Sequence, residues 1–273
     1  MMCRLYGVTR EGYYAWRRRP LSARAREDEG LFRQIEAIFQ ANRSIYGSPR
    51  VHDALKQSGV ALGRKRVARL MRCGGLKARC ARIYRRNPGS NVFYTGVPNR
   101  SLDCQLSGPN QVWVGDITYL RVGQAWRYLA VVLDKYSRRV IGWKLSKHKS
   151  AWLTAEALDR AVRKRQPQPG VVFHTDRGIE YGAYAFRRRL ERRGFIQSMN
   201  RPRSFNENAV MESFFHSLKA EGVHGTNFTQ DDELIGYLKS YVKFYNEKRT
   251  HSALGYVAPA NFELAQAGQL GVN

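Results

Sequence analysis

Residues 111–121 read QVWVGDITYLR, bounded by SGPN before and VGQ after. β-branched and aromatic residues dominate the run, and turn formers close it at both ends, so the stretch predicts a β-strand. One residue does not fit. Asp116 interrupts an otherwise apolar strand, and an unpaired carboxylate in a sheet is costly. It needs a cation or a strong hydrogen-bond network.

Two further strands are expected downstream. Residues 126–133 are almost continuously apolar, which suits a central buried strand, and residues 140–145 form a third. The connections, Val122-Gly123-Gln124 and Lys135-Tyr136-Ser137, are short enough only for antiparallel hairpins. Ser150 is placed to cap a helix running to about Lys164. Then follow a short strand at 171–175 (VVFHT), a helix at 186–193, a strand at 195–199 and a helix at 207–221. Three meandering strands followed by alternating helices and strands predict an α/β core with a mixed sheet flanked by helices. This is the element order of the ribonuclease H-like fold.

Two more carboxylates occupy telling positions. Asp176 comes just after the VVFHT strand, and sites in open α/β sheets collect beyond the carboxyl ends of strands. Glu212 lies inside the last core helix. At about 100° per residue, Asn208, Glu212, His216 and Lys219 share one sector, apart from Val210, Met211, Phe214 and Leu218. That division also fits an ordinary amphipathic helix with a polar surface. Convergence of Asp116, Asp176 and Glu212 would serve phosphodiester chemistry, in which one oxygen is activated and another stabilised as it leaves. Two divalent ions about 4 Å apart can do both. Mg2+ takes oxygen ligands and keeps some of its waters, so a few carboxylates suffice, and Mn2+ can substitute. In this reading Asp116 bridges the ions, Asp176 and Glu212 complete one shell each, and Lys219 holds a DNA phosphate.

Charge points the same way. The chain of 273 residues has 47 Lys and Arg against 22 Asp and Glu, a formal net charge of +25. Such an excess argues for a polyanionic partner, with nucleic acid ahead of an anionic membrane surface. No run approaches the roughly 18 apolar residues of a membrane span, and the N-terminus has no signal-like apolar stretch, so a cytoplasmic, nucleoid-associated protein is expected. Cys3, Cys73, Cys80 and Cys104 show no CxxC pair, which disfavours a structural zinc site.

The excess is concentrated early, with net +16 in residues 1–100 and +9 in the remainder. Residues 1–86 read as a basic helical, helix-turn-helix-like DNA-binding region. Leu31, Ile35 and Ile38 recur at helical spacing; Val51, Leu55 and Val60 would pack inside. After Gly63 a stripe of Val67, Leu70 and Met71 is ringed by Arg64, Lys65, Arg66, Arg69 and Arg72. A small helical bundle with a solvated basic face fits the same pattern. Residues 87–110, rich in Gly, Pro, Ser and Asn, form the linker, 111–222 the catalytic core and 223–273 its helical extension. Arg201 and Arg203, in the loop before the last core helix, are expected on phosphates. His174 is expected to be structural, and Trp113, Trp126 and Trp143 to be core aromatics. Asn246, Arg249 and His251 either contact DNA or anchor the last helix.

Seven stretches carry a resemblance: YGVTREGYYAWRRRP, YGSPRVHDAL with RKRVARLMR, WVGDITYL with FHTDRGIEY, NENAVMESFFHSLKAE, and YNEKRTHSALGYVAPANF. Together they resemble the second-frame (OrfB-type) transposases of bacterial insertion sequences, whose core belongs to the retroviral-integrase superfamily. That family has 35 residues between its second Asp and its Glu, as between Asp176 and Glu212, and a basic residue seven positions later, as at Lys219. It usually carries Asp where this chain has Glu207, which puts a tight role for that position in doubt. The resemblance implies a magnesium-dependent transposase that nicks the terminal inverted repeats of its element. It then joins the 3′-hydroxyl to target DNA, with no covalent protein–DNA intermediate. It also implies a homo-oligomer on DNA and a possible upstream-frame helix-turn-helix partner or fusion. A cutting-only nuclease of the same fold and a non-catalytic DNA-binding regulator are the rivals. A retroviral-type integrase would need an N-terminal His/Cys zinc module that this chain lacks.

Overall fold

The computed structural model describes residues 7–20, 22–79, 96–202 and 204–270. The chain divides into two compact units, Met1–Ala78 and Arg79–Asn273.

The first unit is helical: α1 (Arg10–Arg18), α2 (Ala23–Ala41), α3 (Ser48–Gln57) and α4 (Arg64–Cys73). Ile35 and Phe39 of α2 meet Val51 and Leu55 of α3 and Val67, Leu70 and Met71 of α4 in one buried cluster. Val60, expected inside, is only half-buried because it falls in the turn between α3 and α4. Gly63 serves as the N-cap of α4, which starts with its basic residues already in the first turn. Helix α1 buries nothing and exposes Tyr13, Tyr14 and Trp16.

The second unit is built on a five-stranded sheet in the order β3-β2-β1-β4-β5. Strands β1 (Val112–Val122), β2 (Ala125–Asp134) and β3 (Val140–Ser146) form the antiparallel meander. Strands β4 (Val172–Thr175) and β5 (Ile196–Met199) run parallel to β1. Helix α5 (Ala151–Arg165), the short α6 (Ile179–Gly182) and α7 (Tyr184–Glu191) cover one face, where Trp113, Phe173, Leu158 and Phe186 pack. Helix α8 (Ala209–Leu218) and α9 (Asp231–Glu247) cover the other, where Val114, Leu133, Met211, Phe214 and Leu238 pack. A last helix, α10 (Pro259–Leu270), closes the unit. The predicted mixed sheet flanked by helices is therefore present.

Close packing fixes two glycines. A Cβ on Gly115 would stand 2.8 Å from the Phe173 ring, and one on Gly142 only 2.3 Å from the Ala157 carbonyl oxygen. Gly142 lets α5 lie directly on β3. Gly115 leaves room for the Phe173 ring to lie over β1 next to Asp116.

Three expectations need correction. Ser150 is the residue before α5, yet its side chain makes no capping hydrogen bond. The helix expected over 207–221 begins only at Ala209, after a 3-10 turn (Phe205–Asn208), and loosens into a π turn (Lys219–Val223). Trp126 is not a core residue. It is 45% exposed, because it sits at the tip of the β1–β2 hairpin beyond the reach of α5, whereas Trp113 is fully buried and Trp143 packs partly buried against the core.

Candidate active site

The sheet register brings the first two carboxylates together. Gly115 on β1 pairs with Thr175 on β4. Carried one residue further, the parallel register sets Asp116 beside Asp176, on strands about 4.8 Å apart. Asp116 Oδ1 accepts from the Ile117 N–H at 2.7 Å, and Asp176 Oδ1 accepts from the Gly178 N–H at 3.0 Å. Neither bond neutralises the charge. Burial pushes the Asp116 carboxyl well above the ordinary carboxylate range, and the charges of Asp176 and Glu212 add to the shift. Burial raises Asp176 as well, and Glu180 adds to it.

Helix α8 brings the third. Asn208, at its start, is 4% exposed, and its Nδ2 donates to the Gly115 carbonyl at 3.4 Å. The beginning of α8 is thereby tied to the residue preceding Asp116. Glu212, one turn on, is exposed and contributes to the field at Asp116. Asn208 thus lies beneath the polar face on which the helical wheel placed it. Its Oδ1 is buried with no hydrogen-bond partner among the described residues.

Lys149, Glu180 and Tyr181 join this group, and sequence reasoning missed all three. Lys149 Nζ lies 3.2 Å from Glu180 Oε1, and its charge favours ionisation of both Asp116 and Asp176. Tyr181 is buried beside them, and burial together with the Asp116 and Asp176 charges pushes its phenol up. Glu180 and Tyr181 stand within FHTDRGIEY, so position in that motif was their signal. Lys149 comes from an exposed polar loop that carries none.

Glu207, the residue whose role was in doubt, is firmly placed. It accepts from Asn99 Nδ2 at 2.7 Å, from the Arg201 N–H at 2.6 Å and from Arg201 Nε at 2.5 Å. Burial opposes its charge, but these bonds outweigh that and hold its carboxyl below the usual range. Arg201 keeps an exposed side chain while so engaged. Arg203 lies outside the described residues. Lys219 lies with its Nζ 4.7 Å from the centre of the Tyr119 ring.

The remaining residues are structural. His174 is fully buried between Ser198 Oγ and Asn200 Oδ1, each 2.9 Å from a ring nitrogen, and burial lowers its pKa to about 4. Asn246 bonds both the N–H and the carbonyl of Val140. Arg249 pairs with Glu221 in the interior, and the ring of His251 meets Tyr245 edge-on at 4.7 Å. All three anchor the C-terminal segment to the core. In the helical unit, Arg66 bonds Glu27 and Asp28, and Arg69 bonds Asp28 at 2.5 Å, while Arg64 and Lys65 are exposed. No described helix is long and apolar enough to cross a membrane.

The donor set suits a hard divalent cation. Carboxylate oxygens are crowded at one strand end, burial and mutual repulsion disfavour their charges, and a buried amide oxygen nearby lacks a donor. Among the described residues, no three His, Cys, Asp or Glu side chains already form a complete ligand group.

Known families and proteins are similar to this chain. Integrase core domain models match residues 107–204 and 193–259, and an HTH-like domain model matches residues 25–84. The chain is 38% identical over 271 residues to the transposase InsF for insertion sequence IS3fB of Escherichia coli K12, covering 96% of this chain and 92% of that one. It is 36% identical over 263 residues to an uncharacterized 31 kDa protein of insertion element IS600 from Shigella sonnei, covering 96% and 97%. The catalytic core domain of HTLV-2 integrase superposes with a TM-score of 0.43 at 16% identity, over 58% of this chain and 98% of that one.

Proposed function

The chain belongs to the IS3-type insertion-sequence transposases, and from this we infer that it cleaves the ends of a mobile DNA element and joins each freed 3′-hydroxyl to another phosphodiester. The observation that carries the reading is the buried carboxyl of Asp116, one residue past the last β1–β4 pair, in the field of both Asp176 and Glu212. Integrase cores use divalent metals. Asp116, Asp176 and Glu212 would hold two Mg2+ ions here, with Mn2+ able to substitute. Such ions activate the attacking oxygen and stabilise the leaving one.

The protein's own groups do the rest. Asp116 is held by the Ile117 N–H and Asp176 by the Gly178 N–H, which would keep the carboxylates placed to hold the ions. Glu212 reaches in from an exposed helix face to complete the set. Lys219 fixes a phosphate of the bound strand, and Arg201, held by Glu207, steadies the loop over the site. In joining, a bond forms between the 3′-oxygen and a target phosphorus while the target's own phosphorus–oxygen bond breaks. The protein forms no covalent link to DNA.

The helical unit would recognise the terminal inverted repeats through Arg64 and Lys65, and the residues following 222 would brace the core. Two DNA ends must be brought together, which calls for at least two protomers. An upstream-frame helix-turn-helix protein, as partner or fusion, would supply further end recognition. The work is done on the bacterial nucleoid.

A labelled element end incubated with target DNA tests the reading. Wild-type protein should yield cut and joined products, and Asp116→Asn or Glu212→Gln neither. Cutting without joining would identify a nuclease, and unchanged cutting by both variants would remove the triad from the chemistry.

A further inference from the structure

Two large rings stand exposed on the sheet near the triad. Tyr119 is 36% and Trp126 45% exposed. In the β1–β2 register Tyr119 pairs with Tyr128 and Arg121 with Trp126, so all four side chains share one face. Nearer the centre of the sheet this face is filled by Ile117 and Ala130 under the helices, but at the hairpin end it is bare. The two rings meet edge to face, 5.2 Å apart and at 88°. Each has a cation beside it. Lys219 Nζ lies 4.7 Å from the Tyr119 ring centre, and the Arg121 guanidinium 5.5 Å from that of Trp126.

The result is a row of cation, ring, ring and cation. Tyr119 follows Asp116 by three residues, about 10 Å along the strand and on the opposite face. The row's inner end reaches the chemistry round the edge of β1, whose β4 side is unpaired past Gly115: Lys219, beside the Tyr119 ring, comes seven residues after Glu212. The spacing suits one class of ligand. Unpaired nucleotides offer flat aromatic faces to rings and phosphates to cations, and stacking of this kind tolerates any base. An intact duplex hides its base faces and could engage only Arg121 and Lys219.

We propose that Tyr119 and Trp126 form a stacking shelf for unpaired bases of the DNA strand adjoining the scissile phosphate, with Arg121 and Lys219 on the flanking phosphates. This rests on the strand-transfer reading of the triad. The shelf holds the frayed end of the strand, so that the phosphodiester beside it lies at Asp116.

The full-length protein is tested for binding to a blunt duplex and to the same duplex carrying several unpaired 3′-thymidines, by fluorescence anisotropy with Ca2+ present to block cutting. Wild-type protein should prefer the tailed duplex. Trp126→Ala should lose roughly tenfold on the tailed duplex and little on the blunt one, and Trp126→Phe should keep most of the preference. An equal loss on both probes, or no loss, overturns the shelf. Should Trp126→Ala melt early, tryptophan emission decides. Beyond the quenching that the blunt duplex gives through other exposed tryptophans such as Trp16, the tailed duplex should quench wild-type protein further and leave Trp126→Phe without that increment. An equal increment in both rejects the proposal. Binding is read apart from chemistry. Tailed-end preference in a protein that neither cuts nor joins would defeat the transposase reading of the triad and leave the shelf standing. Cutting and joining without the preference would do the reverse.

Discussion

Glu221 and Arg249 form a buried ion pair that joins the π turn after α8 to the C-terminal segment. Arg249 Nη2 lies 2.5 Å from Glu221 Oε1 and Nε 2.8 Å from Oε2. Tyr241 Oη donates to Glu221 at 2.8 Å, and Arg249 donates to Ser217 Oγ at 3.0 Å. Lys219 belongs to the same π turn as Glu221, so this pair also fixes the backbone from which Lys219 projects.

Removing one partner leaves the other charged and buried. Arg249→Ala should therefore cost about 3–5 kcal/mol in denaturant unfolding. Glu221→Gln combined with Arg249→Met should recover most of that loss. A surface-like effect under 1 kcal/mol for Arg249→Ala would show the pair to be solvated.

Asp116 and Asp176 give the metal-free protein a defined pH dependence. Their folded pKa values lie above the ordinary value of 3.8, so the folded state binds more protons than the unfolded chain in the interval between. Stability from these groups is therefore present at low pH and lost as pH rises through that interval. At pH 7 in chelator, Asp116→Asn should melt higher than wild type, by about 2–4 °C for each kcal/mol relieved. Mg2+ or Mn2+ should raise the melting temperature of wild type and leave Asp116→Asn nearly unmoved. Equal metal stabilisation of both proteins would count against Asp116 as a ligand.

His174 works in the opposite sense. Its pKa falls from 6.5 to about 4 on folding, because burial disfavours the imidazolium while the bond from its ring to Asn200 Oδ1 opposes the shift only in part. Its contribution is complete above pH 6.5 and is lost as pH falls towards 4, amounting to about 3 kcal/mol. The ring should remain neutral at pH 5 in an NMR titration, and His174→Gln should flatten the stability curve between pH 4 and 6.5. A ring that titrates near 6.5 would contradict the buried setting.

The basic helix α4 should separate into two roles. Lys65→Ala should weaken DNA binding of every sequence about equally and reduce the salt slope by about 0.9. Arg66→Ala should chiefly lower the stability of the helical unit, since Arg66 ties α4 to Glu27 and Asp28. Matching losses of DNA affinity at unchanged stability would place both residues on phosphates.

Much of this was legible in the residue order. A strand-forming apolar run interrupted by one aspartate located β1, and short turns required the antiparallel meander. Local signals were weaker at element ends. Helix α8 was read two residues too early because the Asn-containing 205–208 segment favours a turn as readily as a helix, and Asn208 is instead tied to Gly115. Trp126 was misplaced because alternation says which face a residue takes and cannot say where the covering helix stops.

The sequence by itself determined the order of elements along the chain, the three candidate carboxylates and the basic character of the molecule. These follow from local periodicity, from a charge in an apolar run and from composition. The tertiary structure decided the rest. Pairing Gly115 with Thr175 placed Asp116 beside Asp176, and packing enlisted Lys149 and Tyr181. Burial turned Arg249 and His174 into supports and left Tyr119 and Trp126 exposed. Each outcome depends on contacts between residues distant in sequence, where desolvation and neighbouring charge set the energy, and no local pattern encodes those.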